Sequence, residues 1–146
     1  MKATILAVVL SLTAFSYLDA QVINIPDKAK KHLGEKYPDA KQVDWRNNAV
    51  NYNATFVLNG SKHTAHYTID GDWDFTEEKI DQATLPDSVK TSVKNSRYAN
   101  WKVSSTAIVE NNKGEKLYRI EFKKGIEKKY LFFDSAGKEV KATGLI

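Results

Sequence analysis

Cysteine is absent from this chain of 146 residues, and proline occurs only three times. Without cysteine the protein cannot form disulfides, thiolate zinc sites or a lipid anchor on cysteine, so its fold must be stabilised by a packed core. The Gly-x-Ser-x-Gly elbow is also missing, and no serine has a histidine at a suggestive spacing. We therefore expect no catalytic residues, no cofactor and no enzymatic activity.

Long hydrophobic runs are confined to the N-terminus. A single charge at Lys2 precedes sixteen uncharged residues, Ala3 to Leu18, and Asp19-Ala20-Gln21 follows. This run is shorter than the roughly 20 residues that span a bilayer, and its layout is that of a signal peptide. We predict cleavage after Ala20, a periplasmic or secreted location and no transmembrane anchor. Residues 21–146 then remain, which is enough chain for a single domain.

Negative charge is scarce in the second half of the chain. Residues 21–84 hold 8 Lys/Arg and 10 Asp/Glu, a net charge of −2, whereas residues 85–146 hold 13 and 7, a net charge of +6. A basic half of this kind either keeps the protein soluble or attracts an acidic protein, an anionic lipid or a glycan. Export would remove nucleic acid from the set of partners.

Two short phrases that open a helix occur sixty residues apart, Ile25-Pro26-Asp27 and Leu85-Pro86-Asp87. Proline suits the first helical turn, and the helix dipole favours aspartate there. Behind each phrase the apolar residues recur every four positions, which indicates a helix with one buried stripe: Ile25, Ala29, Leu33 and Tyr37, then Leu85, Val89 and Val93. The repeated signal predicts that the chain is built from two copies of one unit.

After each helix the apolar period changes to two, which predicts strands. Turn signals separate these strands: Asn59-Gly60, Asp70-Gly71, Asn111 to Gly114, Lys123 to Gly125 and Asp134 to Gly137. We predict an α+β fold of two tandem α-β-β-β-β repeats, residues 21–84 and 85–146, connected through residues 77–84. In each repeat the helix lies across an antiparallel meander sheet. The pattern leaves open whether the repeats share one sheet of eight strands or form two abutting sheets.

Several segments recur in a fixed order over essentially all of the chain after residue 20: Tyr37-Pro38-Asp39-Ala40, Val43-Asp44-Trp45, Tyr52 to Phe56, Tyr67 to Trp73, Leu85-Pro86 with Val89 and Val93, Tyr118 to Phe122, and Phe132 to Gly137. This ordered set resembles the PepSY-like proteins described as β-lactamase-inhibitor-like, a family of small exported proteins frequent in Bacteroidetes. The resemblance implies a tandem α/β repeat and a periplasmic or secreted location. It supplies no catalytic residues and no defined target.

Aspartates alternate in one short segment, where Asp70, Asp72 and Asp74 flank Trp73. Calcium loops also carry alternate aspartates, but they need glycine at the sixth position, where this chain has Phe75. We interpret the segment as a hairpin whose carboxylates face water while Trp73 and Phe75 face the helix. Asp70, Asp72, Trp73 and Asp74 also form a candidate partner-binding tip, acidic with an aromatic anchor.

Histidine occurs three times, at His32, His63 and His66. His63 and His66 are three residues apart, so a strand directs them to opposite faces and they cannot converge on one metal ion. We therefore expect no metal site and interpret the histidines as solvated or hydrogen-bonded side chains.

Lysines crowd around one predicted turn, at Lys123, Lys124, Lys128 and Lys129. Exposed lysines discourage unwanted pairing at a sheet edge, and they can also contact lipid, glycan or protein. These four residues are our second candidate partner-binding group.

These patterns favour an exported, non-enzymatic binding or modulator protein. It would contact an envelope protein or a peptide, of unknown identity, through its sheet face or its hairpin tips. The alternative is a periplasmic protein that binds a small ligand or a metal ion. The oligomeric state is not encoded in any pattern of the sequence.

Overall fold

The computed structural model describes residues 24–142, which contain two α-helices and eight strands. Helix α1 is Asp27–Lys36, helix α2 is Asp87–Lys94, and a 3₁₀ turn at Gln82–Thr84 precedes α2. The strands are β1 Lys41–Asn47, β2 Asn51–Leu58, β3 Ser61–Thr68, β4 Trp73–Ile80, β5 Lys102–Asn111, β6 Lys116–Lys124, β7 Glu127–Phe133 and β8 Glu139–Val140. Neither helix in this part of the chain has the length and hydrophobicity needed to cross a membrane. The predicted signal peptide, residues 1–20, lies outside the described residues.

All eight strands form one antiparallel sheet in the order β1 to β8. The pairing of β4 with β5 joins the first half, residues 24–84, to the second half, residues 85–142, so the halves share one sheet. The predicted connection at residues 77–84 is wrong for residues 77–80, which belong to β4. Pairing with β5 satisfies backbone groups that a loop would leave to water.

Both helices begin at the predicted phrases, and α1 also ends where the sequence predicts. Each is preceded by its proline as the N-cap residue, and Asp27 and Asp87 lie in the first turns, where the helix dipole favours negative charge. Helix α1 ends before Pro38, because proline disfavours helical geometry at the residue before it. The last helical hydrogen bond runs from the Tyr37 N–H to the Leu33 carbonyl at 2.9 Å.

Both helices pack on the same face of the sheet. Ala29 and Leu33 of α1 are buried in a cluster with Tyr52, Ala54, Phe56, Ala65 and Tyr67 of β2 and β3. Val89 and Val93 of α2 are buried in a cluster with Ile120, Phe122, Leu131 and Phe133 of β6 and β7. Cross-strand partners share a face, and the registers place both clusters on one side of the sheet. We call this side the helix face and the opposite side the helix-free face.

Two turns dock on the N-terminal ends of the helices. Gly71 in the β3–β4 turn and Gly137 in the β7–β8 turn have φ angles of 83° and 81°, which favour glycine. A Cβ on Gly71 would lie 2.8 Å from Pro26 Cβ, and a Cβ on Gly137 would lie 2.6 Å from the Ser88 carbonyl oxygen. Glycine therefore allows each turn to approach its helix closely.

Phe75 does not face a helix, so the expected orientation of this residue is wrong. Tyr67 lies opposite Trp73 and His66 lies opposite Phe75, which makes Asp74 an extra residue in β4. A bulge of this kind shifts the alternation of a strand by one residue. Trp73 consequently stays on the helix face, while Phe75 lies on the helix-free face with His66.

Candidate functional site

The helix-free face is the candidate binding surface. Both helices lie on the other side and every described strand belongs to the sheet, so no further helix or strand among residues 24–142 covers this face. Neighbouring strands are spaced by about 4.8 Å, so the seven strands β1 to β7, each of roughly eight residues, give a face of roughly 29 by 26 Å. This is close to the area that one partner contributes to a standard interface, about 800 Å².

An ion pair lies near the centre of this face. Glu77 of β4 pairs with Arg119 of β6, and their side chains are only 21% and 17% exposed. On its other side, Glu77 Oε1 lies 3.8 Å from His66 Nε2. Burial by itself raises the pKa of the Glu77 carboxyl, but His66 and Arg119 outweigh burial and hold that pKa below its ordinary value. Glu77 is therefore an anion at neutral pH that links side chains of the two halves.

The second half fills its part of the helix-free face with its own side chains. Val109, Leu117 and Phe132 form a buried apolar cluster with Phe75, and Tyr130 packs against it. Beside this cluster, Glu121 accepts hydrogen bonds from Ser104 Oγ at 2.6 Å and Tyr130 Oη at 3.0 Å. Lys128 Nζ lies 3.2 Å from Glu121 Oε1. The polar groups of this region thus find their partners within the chain.

The first half has a cavity of about 500 Å³ on the same face. It lies between the β1–β2 and β3–β4 turns, and its lining includes Val50, Asn51, Asn53, His66, Ile69, Asp74 and Phe75. At its rim, Val50 and Ile69 are 75% and 51% exposed. Asn53 Oδ1 and His66 Nε2 are buried and have no hydrogen-bond partner among the described residues. The volume falls in the range of ligand pockets, about 300–1,000 Å³.

The predicted acidic tip is partly occupied by contacts with α1. Asp72 forms an ion pair with Lys28, and its N–H donates to Thr68 Oγ1 at 3.1 Å. Asp70 is exposed, and Asp74 lines the cavity. Only Asp70 and Asp74 of this tip are thus placed where a partner on the helix-free face could reach them.

Trp73 supports α1 from the helix face. His32 stacks on its ring with centroids 5.1 Å apart, and Lys36 Nζ lies 4.3 Å from its centroid. The indole Nε1 donates to Thr76 Oγ1 at 2.9 Å. The aromatic ring proposed as an anchor for a partner is therefore engaged within the chain.

The four predicted lysines lie in the β6–β7 hairpin. This hairpin is at the opposite end of the strands from the acidic tip at the β3–β4 turn. All four are exposed. Lys123 lies opposite Lys128 on the helix-free face, whereas Lys129 lies opposite Phe122 on the helix face, as does Lys124 by alternation. The structure does not bring the two predicted groups together, and it divides the lysines between the two faces.

The two strand histidines occupy opposite faces, as predicted. His63 stacks on Phe56 at 5.4 Å on the helix face, and His66 stacks on Phe75 at 4.1 Å on the helix-free face. Within residues 24–142, no group of three or more His, Asp or Glu side chains could hold a metal ion.

Sequence reasoning did not select Asn53, Glu77 or Arg119, and it treated His66 as a bystander. Alternation along β2 and β3 does place Asn53 and His66 on the face opposite the apolar stripe. The contact between Glu77 and Arg119 carried no such signal, because it depends on the registers of β4 with β5 and of β5 with β6. Because residues 77–84 are predicted to be a connection, the sequence does not indicate that Glu77 lies in a strand and faces Arg119.

The architecture defines a class of small α+β protein in which two helices cover one face of a single antiparallel sheet and, among residues 24–142, no helix covers the other face. Within this class the chain belongs to the family described as "Putative beta-lactamase-inhibitor-like, PepSY-like", whose model matches residues 50–140. The resemblance identified from the sequence is thus confirmed.

Solved structures share this fold. A BLIP-like protein from Bacteroides fragilis has a TM-score of 0.70 and 24% sequence identity, over 84% of this chain and 88% of that chain. A protein from Bacteroides eggerthii described as "putative periplasmic" has a TM-score of 0.68 and 21% identity, over 81% of this chain and 87% of that chain. No curated protein matches the chain.

Proposed function

We propose that this protein is an exported, non-enzymatic binding or modulator protein that holds another protein or a peptide on its helix-free face. The observation that carries the proposal is a sheet face of interface size that no described helix covers, with a largely buried ion pair, Glu77 with Arg119, near its centre.

The proposal includes the location and the domain organisation. The Bacteroides eggerthii relative is described as periplasmic, and the layout of residues 1–20 favours export of this chain too. The tandem repeat, residues 21–84 and 85–146, is supported by the shared order of one helix followed by four strands. The two repeats would act as one unit, because β4 and β5 pair over their common boundary.

A pair of matched charge reversals tests whether the helix-free face binds the partner. Lys62→Glu with Lys79→Glu alters that face, where both residues line a cavity of about 200 Å³ beside Glu77 and Arg119. Lys31→Glu with Lys94→Glu makes the same change of charge on the exposed sides of α1 and α2. Immobilised residues 21–146 would be incubated with an envelope extract of the source organism, and saturable capture would be quantified by mass spectrometry.

We expect the helix-free-face variant to lose at least about tenfold in capture, because reversing charges across an interface costs more than 1.4 kcal/mol. The helix variant should bind like the native protein. Equal capture by the two variants, with thermal unfolding showing both folded, would contradict the proposal. Inhibition assays with purified β-lactamases examine the target class that the family description suggests.

A further inference from the structure

The cavity on the first half combines apolar walls, polar atoms without hydrogen-bond partners and nearby aspartates, and these three features point to a ligand. Phe75 provides an aromatic wall that is 4% exposed, and Val50 and Ile69 expose apolar surface at the rim. These two rim residues belong to neighbouring turns, since Asn51 at the start of β2 lies opposite Thr68 at the end of β3. Exposed apolar side chains grouped around a concave site mark binding surfaces more often than scattered ones do.

The floor of the cavity has unsatisfied hydrogen-bonding capacity. Asn53 and His66 lie opposite each other on β2 and β3, and Asn53 Oδ1 and His66 Nε2 lack partners among the described residues. The distance of 3.8 Å from His66 Nε2 to Glu77 Oε1 is too long for a hydrogen bond. An amide oxygen without a partner accepts a hydrogen bond, so a ligand with an N–H group, such as a peptide backbone, would satisfy it.

The end of the sheet beside the cavity is acidic. The β3–β4 turn carries Asp70 and Asp72, Asp74 follows near the start of β4, and Asp72 is neutralised by Lys28. Arg46 lies opposite Asn53 on β1, but its Nε is held by Asp44 at 3.2 Å. Asp70 and Asp74 make no ion pair within residues 24–142, so they complement a cationic ligand.

The corresponding position in the second half is closed. There the cross-strand pair is Arg119 with Phe132, in place of Asn53 with His66. Arg119 reaches Glu77, and Phe132 is 4% exposed inside the apolar cluster. The open cavity is therefore particular to the first half of this chain.

We propose that this cavity binds an apolar side chain of a basic peptide segment. The apolar side chain would lie on Phe75 between Val50 and Ile69, a flanking Lys or Arg would face Asp70 and Asp74, and a backbone N–H would donate to Asn53 Oδ1. This inference rests on the proposed function, because it assigns one part of the helix-free face and the chemistry of the partner segment.

A titration of ¹⁵N-labelled residues 21–146 with three blocked tripeptides tests the proposal. The probes are lysyl-phenylalanyl-lysine, glutamyl-phenylalanyl-glutamate and lysyl-glycyl-lysine, each acetylated and amidated. We expect the first peptide to shift the amide signals of Asn53, His66 and Phe75 and to bind at least about fivefold more tightly than the other two. Equal binding of all three, or shifts confined to the β6–β7 hairpin, would overturn the proposal.

Matched variants localise the effect. Ile69→Ser removes apolar surface at the rim, and Ile126→Ser makes the same change at a residue that is 98% exposed in the β6–β7 hairpin. Asp74→Asn removes charge from the cavity, and Asp39→Asn removes it from the exposed loop after α1. Ile69→Ser and Asp74→Asn should each weaken the first peptide several-fold, whereas the two control variants should not. An equal effect of a variant and its control would also overturn the proposal.

The two proposals fail in different ways. If the tripeptides bind without preference while the charge reversals of Lys62 and Lys79 still abolish capture of a partner, only the cavity assignment is wrong. If capture is also insensitive to those reversals, the helix-free face is not the binding surface.

Discussion

The two halves of the sheet are alike on the helix face and different on the helix-free face. On the helix face, the cross-strand pairs Tyr52 with Tyr67 and Ala54 with Ala65 in the first half correspond to Tyr118 with Phe133 and Ile120 with Leu131 in the second. All of these except Tyr118 are buried under a helix, and Tyr118 packs at the edge of its cluster. On the helix-free face, Thr55 with Thr64 corresponds to Glu121 with Tyr130.

This difference distinguishes positions whose side chains are constrained by helix packing from positions where many side chains are compatible with the fold. A helix must bury its apolar stripe, so residues under α1 and α2 are confined to apolar side chains of fitting size. The helix-free face lacks that constraint, and each half uses it differently: the second half fills it and the first half leaves a cavity. We infer that the side chains available for binding lie at positions where packing does not determine the residue type.

We expect the largest loss of stability when a charged side chain is introduced at a buried position of either helix. Val89→Asp and Ala29→Asp would each bury a carboxylate at a position that is fully buried, at a cost comparable with the whole stability of a domain, about 5–15 kcal/mol. Circular dichroism and thermal unfolding should show loss of both halves from either substitution, because they share one sheet. Thr91→Asp on the exposed side of α2 is the control, and a variant that unfolds only its own half would show that the halves are independent.

The docked turns should respond unequally to a methyl group. Gly137→Ala places a Cβ against the Ser88 backbone, at a φ that disfavours alanine, and should cost about 2–4 kcal/mol. Gly71→Ala meets the Pro26 side chain and should cost somewhat less. Gly125→Ala has positive φ but open space and should cost only about 1 kcal/mol. Chemical denaturation measures all three, and a Gly125→Ala cost equal to that of Gly137→Ala would contradict the close docking.

The ion pair between the halves should make stability depend on acid. Because the folded pKa of Glu77 lies below its ordinary value, its stabilisation is present at neutral pH and is lost as the pH falls through the folded pKa. Glu77→Gln should destabilise the protein by about 1–3 kcal/mol at pH 7 and should flatten the stability curve below about pH 4.5. An unchanged acid limb would show that Glu77 is not held as an anion.

His32 should also make stability depend on pH, more weakly than Glu77 does and in a higher pH range. Burial, together with the charge of Lys36, lowers the pKa of His32. The unfolded chain therefore takes up the proton first as the pH falls through about 6.5, and stability decreases. His32→Phe keeps an aromatic ring on Trp73 and should reduce the fall in Tm between pH 7 and pH 5. If the Tm of the native protein and the Tm of this variant fall by the same amount, the titration of another group is responsible.

The sequence predicted most of the helix face and little of the candidate site. Step-of-four periodicity located both helices, and Asn59-Gly60 formed the expected hairpin with positive φ at both residues. These features depend on local backbone preferences. The bulge at Asp74, the length of β4 and the contact of Glu77 with Arg119 depend on strand register. Register is set by packing of the whole sheet, so a local pattern could not predict them.

A photo-crosslinker placed at Val50 or at Ile126 tests most directly whether a partner contacts the first half of the helix-free face. Both side chains are highly exposed, at 75% and 98%, so neither replacement should disturb folding. Val50 borders the cavity, whereas Ile126 is in the lysine-rich hairpin at the other end of the strands. The proposed mode of binding predicts a saturable adduct with an envelope protein from position 50 and little from position 126. A dominant adduct from position 126, with none from position 50, would contradict it.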